Sequence, residues 1–217
     1  MKTAIVKYNA GNIQSVLYAL ERLGVEGLVT DDFETIRGAD RVIFPGVGEA
    51  STAMAYLRDR KLDTLITTLT QPVLGICLGM QLMCASSEEN DTQCLGIFEE
   101  PVKKFRPEVP AAVIDPLSRE IAFTDPPMQR AEKVPQIGWN NIYDLESPLF
   151  ANVPEQSYIY LVHGYYASLG QHTIATANYI HPYSAALHKN NFYGVQFHPE
   201  KSAAVGEKIL SNFLSFN

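Results

Sequence analysis

The run Pro72-Val73-Leu74-Gly75-Ile76 passes without a linker into Cys77-Leu78-Gly79-Met80-Gln81, and this change of pattern constrains the fold more than any other stretch. A short apolar run rich in β-branched residues reads as a buried strand, and a helix-compatible segment follows at once. Gly75 and Gly79 are expected to permit the tight strand-to-helix turn and to leave room around the thiol. Cys77 then stands at the carboxyl edge of a sheet and at a helix N-terminus. Unpaired amides and the helix dipole there favour a thiolate and any oxyanion formed beside it. Taken alone, the same run fits an inert core cysteine equally well.

Strand and helix signals alternate along the first half, as a doubly wound parallel sheet requires. Thr3–Tyr8 reads as a strand. Ile13, Val16, Leu17, Leu20 and Leu23 recur at helical spacing after an Asn12 cap, with Gly24 just past the end. Arg41–Phe44 is a second buried strand, followed by Pro45-Gly46-Val47-Gly48. Helical patterns then carry Met54 and Leu57, and next Leu62, Leu65, Ile66 and Leu69. After Gly96 shorter strands are expected at Ser157–Val162, Thr173–Thr176, Ser184–Leu187 and Asn191–Phe197. Ser202 is expected to cap a last amphipathic helix burying Val205, Ile209, Leu210 and Phe213. Between 107 and 131 fall five of the thirteen prolines, a density that excludes a regular helix or central strand. A surface excursion is expected there.

At 217 residues and 46% hydrophobic content the chain suits one α/β domain, 1–217. No signal peptide is read at the start, no run is long enough for a membrane span, and three cysteines argue for a reducing, cytoplasmic setting. Cys84 and Cys94 read as structural. No metal-ligand spacing occurs, so neither zinc nor another cofactor is expected. A net charge of −7 disfavours nucleic acid, and no membrane partner is expected.

Near the far end, Phe192-Tyr193-Gly194-Val195-Gln196-Phe197 reads as a strand running into His198-Pro199-Glu200-Lys201-Ser202. Pro199 biases His198 toward extended backbone, and an extended chain projects His198 and Glu200 to one side. The carboxylate can then orient the imidazole. Cys77, His198 and Glu200 together make a triad for nucleophilic acyl transfer; a surface ion pair is the plainer reading of the last two.

Gly75-Ile76-Cys77-Leu78-Gly79-Met80-Gln81 with Gln196-Phe197-His198-Pro199-Glu200 resembles the class I, triad-type glutamine amidotransferases. Pro45-Gly46-Val47-Gly48, Val134-Pro135-Gln136-Ile137-Gly138-Trp139-Asn140, Tyr160-Leu161-Val162-His163-Gly164-Tyr165 and Asn191 to Ser202 further resemble the glutamine amidotransferase subunits of imidazole glycerol phosphate synthases. The resemblance runs from the first strand to the last helix and skips 107–131, which looks like an insertion. It implies a flavodoxin-like, mostly parallel sheet with flanking helices and additional antiparallel strands.

It also implies a chemistry. Cys77 attacks the side-chain amide of glutamine, His198 moves protons, and the oxyanion is held by the amides of Leu78 and Val47. Gly48, Gln81, Glu89, His163, Gly164 and Tyr165 would line the glutamine site, Glu89 holding the α-ammonium. Ammonia would pass to a (β/α)8-barrel cyclase partner, in a heterodimer making imidazole glycerol phosphate and aminoimidazole carboxamide ribotide (AICAR) for histidine biosynthesis. Asn12, Trp139, Tyr160 and Lys201 match positions facing that partner, although core packing is an open reading for Trp139. Two departures stand out: Gly164 where the family commonly has Ser or Thr, and Gln136 where it usually has His. Rival readings are a glutaminase subunit of the anthranilate or pyridoxal phosphate synthase type, a stand-alone γ-glutamyl hydrolase, and a non-catalytic interaction subunit with the same fold.

Overall fold

The computed structural model describes residues 2–9, 13–107 and 133–216, together with the backbone of 113–114 and 121–122. Asn12, as cap and as interface residue, lies outside the described residues, as does most of the proline-rich 107–131 stretch.

The first half builds the alternation that its periodicity announces. β1 (Thr3–Val6) buries every residue, and α1 (Ile13–Arg22) buries Val16, Ala19 and Leu20. β2 (Gly27–Thr30) and α2 (Phe33–Arg37) have no counterpart in the sequence reading. β2 is an edge strand with no fully buried residue, and α2 is five residues long. Such elements carry too little hydrophobic period to be seen. α2 is instead started by Asp32, whose Oδ1 accepts from the Thr35 amide at 2.8 Å. β3 (Arg41–Gly46), α3 (Ala50–Asp59), α4 (Leu62–Thr67), β4 (Val73–Cys77) and α5 (Leu78–Met83) follow.

The second half is mostly strand. β5 (Ser86–Ser87), β6 (Thr92–Gln93) and β7 (Val102–Lys104) are short; β8 (Val113–Ile114) pairs with β9 (Ile121–Ala122). β10 (Gln136–Ile142), β11 (Ser157–His163), β12 (Tyr165–Ala167), β13 (Thr173–Tyr179), β14 (His181–Lys189) and β15 (Phe192–Val195) precede α6 (Ala203–Leu214). β13 and β14 run to seven and nine residues, longer than expected. Their buried positions include Ala175, Thr176, Ala177, Ser184, Ala185 and Ala186, so small and polar residues mask the strand signal.

The main sheet has the order β2-β1-β3-β4-β15-β14-β12-β7-β5-β6, with β13 also on β14. From β2 to β15 neighbours are parallel; beyond β15 they are antiparallel except β5 with β7. Alternate strand residues feed two cores, one on each face. Ala4, Val42, Phe44 and Val73 pack with α2 to α5; Ile5, Ile43, Leu74 and Ile76 pack with α1, α6 and the inner side of β10–β11.

Ser202 precedes α6 but does not cap it. Its hydroxyl donates to the His198 carbonyl at 2.7 Å and accepts from the Tyr160 amide at 2.9 Å. The side chain expected to start a helix instead ties β11 to the segment after β15.

Candidate active site

Sheet register assembles the site. β4 lies between β3 and β15, with Cys77 opposite Gly46 and Ile76 opposite Val195. The chain leaving β3 toward Val47 and the chain leaving β15 toward His198 therefore both flank Cys77. This is the carboxyl edge of the parallel strands, where open α/β sheets bind ligands.

Cys77 takes the left-handed turn itself, at φ 52 and ψ −109. A non-glycine residue held there costs about 1–3 kcal/mol and persists only where its surroundings enforce it. Gly75 and Gly79, expected to supply that turn, do not: neither has a positive φ. They are needed for close approach: a Cβ on Gly79 would run into the Phe44 carbonyl, and one on Gly75 into Met83 and the α5 backbone. The short helix thus lies directly on β3 and β4 and aims the sulfur at the sheet edge.

His198 is extended, at φ −98 and ψ 94, but Glu200 does not follow in an extended chain. Pro199–Lys201 forms a single 3-10 turn that folds the carboxylate back, and Nδ1 of His198 donates to Glu200 Oε1 at 2.8 Å. Both side chains are buried, which sets aside the surface-pair reading. Burial pushes the His198 pKa down, yet its contacts with Cys77 and Glu200 outweigh that and raise it to about 10. The imidazolium is therefore the favoured form of His198 beside the Cys77 sulfur.

A cavity of about 310 Å³ opens over the sulfur. Val47, Gly48, Leu78, Glu89, Gly164, Tyr165 and Lys201 are among the residues that line it. Glu89 is half-buried at the start of a 3-10 turn, and its Oε2 accepts from the Ala50 amide at the N-terminus of α3, at 2.7 Å. Burial raises the Glu89 pKa, partly offset by that bond. Gly164 has room for a Cβ, which would pack at ordinary van der Waals distance on Val134 and Pro135, at 3.7 and 3.8 Å.

Two residues expected to meet glutamine turn their nitrogens inward. Gln81 Nε2 donates to the Tyr165 carbonyl and to Gln196 Oε1, both at 2.9 Å, leaving its own oxygen to offer a ligand. His163 also lines the cavity, but its Nδ1 donates to the Tyr165 carbonyl at 2.7 Å. Its Nε2 lies 3.0 Å from the Gln136 side-chain amide and 3.3 Å from Tyr183 Oη. Burial lowers the His163 pKa to about 4, so the ring is neutral and its bare Nε2 needs a donor. The Tyr183 hydroxyl, 3.3 Å away, is the donor beside it; the Gln136 atom facing the ring is Oε1, an acceptor that shares that hydroxyl at 3.0 Å. The departure at Gln136 is thus absorbed in a buried network.

Three contacts of the site had no sequence signal. Gln196 Nε2 lies 3.7 Å from the Cys77 sulfur, and Val162 presents its carbonyl to that sulfur at 3.9 Å. Tyr8 packs its hydroxyl against Gly46, where a Cβ would strike it. All three depend on which strands become neighbours.

β10 and β11 form a separate two-stranded sheet, Trp139 opposite Tyr160. Trp139 is 54% exposed and edges against the half-buried Tyr160 ring; Ile137 and Tyr158 are exposed as well. Core packing is thereby excluded for Trp139. Lys201 is exposed at the cavity mouth.

This fold and nucleophile-elbow geometry are those of a class of enzymes, and the sequence agrees. The family model "Glutamine amidotransferase class-I" matches residues 4–215, and the chain belongs to that family. It is 52% identical over 214 residues to the imidazole glycerol phosphate synthase subunit HisH of Bacteroides fragilis, covering 99% of each chain. It is 43% identical to the HisH subunit of Shewanella loihica, covering 99% of this chain and 91% of that one. Within the class, then, the chain is a member of the HisH family. Among solved structures, a glutamine amidotransferase superposes with a TM-score of 0.67 at 16% identity, over 97% of this chain and 96% of that one. PurLQS from Thermotoga maritima gives 0.66 at 15% identity, over 98% and 97%. At such identities the likeness is one of fold.

Proposed function

We propose that this chain is the glutaminase subunit of an imidazole glycerol phosphate synthase, working as one amidotransferase domain in a cytoplasmic heterodimer with a (β/α)8-barrel cyclase. The observation that carries the reading is Cys77 at a strained elbow beside a buried His198–Glu200 pair, at the floor of a cavity sized for an amino acid.

The Cys77 thiolate attacks the γ-carbonyl carbon of glutamine, and the oxygen takes the negative charge. The amides of Leu78 and, once its loop is turned to the site, Val47 receive it; one such donor is worth roughly a hundredfold or more in rate. Collapse breaks the C–N bond, His198 gives its proton to the leaving ammonia, and a γ-glutamyl thioester remains. Water, deprotonated by His198, then adds to the thioester; the C–S bond breaks and glutamate leaves. Glu89 lies where it can hold the α-ammonium, and the Gln81 oxygen is a second polar anchor.

The exposed apolar face of Ile137, Trp139 and Tyr158 is the proposed docking surface, with Tyr160 and Lys201 at its inner margin. It suits a partner because aromatic anchors dominate interface energetics. β11 also joins that face to the chemistry: the Tyr160 carbonyl accepts from the His198 amide at 2.9 Å, and Val162 touches the sulfur. Binding there can therefore adjust His198 and the surroundings of the sulfur, and the isolated chain is expected to be a poor glutaminase.

Cys77→Ser tests the division of labour. In the complex it should abolish glutamine-dependent synthesis of imidazole glycerol phosphate and leave synthesis from added ammonium salts intact. Equal failure with both nitrogen sources would remove the proposal.

A further inference from the structure

We propose that Gln196 is a further catalytic residue, its side-chain amide donating to the Cys77 sulfur in favour of the thiolate, and that Gln81 acts through it as a positioning residue. The inference rests on Cys77 being the nucleophile.

The argument begins at a group whose polarity is fixed. The Tyr165 backbone carbonyl can only accept, so the Gln81 atom 2.9 Å from it is the NH2 nitrogen. That same nitrogen lies 2.9 Å from the Gln196 side chain, which must therefore present its oxygen. The remaining end of the Gln196 amide, its NH2 group, is then the one facing the sulfur at 3.7 Å. An amide orientation that is ordinarily ambiguous is thus set by one carbonyl two steps away. Gln196 is 0% exposed, so no bulk water competes for these bonds.

Among the described residues the sulfur has two polar neighbours of opposite preference besides His198. The Val162 carbonyl at 3.9 Å accepts from a thiol but repels a thiolate. The Gln196 N–H is a weak partner for a neutral thiol and a charge-assisted donor to a thiolate. It also favours the second half of the reaction, when the C–S bond breaks and the electron pair returns to sulfur. A core amide that merely satisfied its neighbours would not change the ionisation of the thiol.

Alkylation by iodoacetamide of the full chain, read at Cys77 by mass spectrometry over a pH series, separates the possibilities without involving glutamine. Cys84 and Cys94 are silent because burial raises both, Cys94 to about 11. Gln196→Met should slow neutral-pH alkylation about tenfold and move the midpoint of the profile to higher pH. Gln196→Glu, which turns a carboxylate toward the sulfur, should slow it about a hundredfold. Gln81→Met removes the orienting donor, while the loss of its oxygen does not enter an assay without glutamine, and roughly a threefold loss with a smaller shift in the same direction is expected. An unmoved midpoint in Gln196→Met, or in Gln81→Met should the first variant not fold, overturns the proposal. Should Cys77 in the parent chain react no faster than an ordinary exposed thiol, the nucleophile reading falls with it.

Discussion

His198 and His163 are both buried, at 2% and 5% exposure, and burial disfavours the charged form of each. Their surroundings send them in opposite directions. Around His198, the Cys77 sulfur on one side and the Glu200 carboxylate on the other outweigh burial and hold the proton, up to about pH 10. Around His163 there are a backbone carbonyl, a side-chain amide and a phenol, all neutral, and the positive His198 nearby adds to the push downward, to about 4. The depth is the same; the company differs. One ring is therefore equipped to give a proton to ammonia, while the other can only hold the floor of the cavity in shape.

The largest effect should come from removing each ring in turn. His198→Ala is expected to lower glutamine turnover in the complex by roughly a thousandfold or more. His163→Gln should cost no more than about tenfold, because it moves no proton in the reaction. Comparable losses in single-turnover assays would erase the distinction.

Stability should respond to pH with opposite slopes at the two rings. For His163 the folded pKa, about 4, lies below the ordinary 6.5, so the unfolded chain binds more protons between those values. Its contribution is full above 6.5 and is lost as pH falls toward 4, by about 3 kcal/mol in all. For His198 the folded pKa is raised, so its contribution is full below 6.5 and fades as pH climbs toward 10. Urea unfolding at mildly acid pH should show a slope that His163→Gln removes. A variant with the parent's acid slope would mean that the ring is not buried neutral.

The smallest effect belongs to the surface beside His198. Lys201 is exposed at the cavity mouth, and an exposed charge pair is worth about 1 kcal/mol at most. Lys201→Ala is therefore expected to leave Cys77 alkylation unchanged, while lowering partner-stimulated glutamine turnover a few-fold or letting ammonia escape. The ratio of glutamate released to imidazole glycerol phosphate formed reads this. An unchanged ratio with unchanged stimulation would make Lys201 an ordinary surface lysine.

Much of the frame is legible in the chain because its signals are local. The apolar run into Cys77, the helical spacing of Val16 and Leu20, and the His-Pro-Glu tip each lie within a dozen residues. Helix and strand periodicity and turn chemistry act over that range. β2 and α2 escape because an exposed edge strand and a five-residue helix have almost no period to detect. β13 and β14 are underestimated because alanine, serine and threonine fill buried positions that a hydrophobic pattern would mark with larger residues.

By itself the sequence determined the β/α order, the elbow, and the kinds of side chain that can do acyl transfer. The tertiary structure decided which way those side chains point and what charge they carry. It folded Glu200 back through a 3-10 turn, placed the positive φ on Cys77 rather than on a glycine, and turned the Gln81 nitrogen away from the cavity. It also left Trp139 at the surface, drew Ser202 into a link between strands, and brought Gln196 and Val162 to the sulfur. The reason is physical. Local backbone preference is set by neighbours in the chain. Register, burial and much of the protonation are set by groups distant in the chain that become neighbours only when the sheet closes around β4.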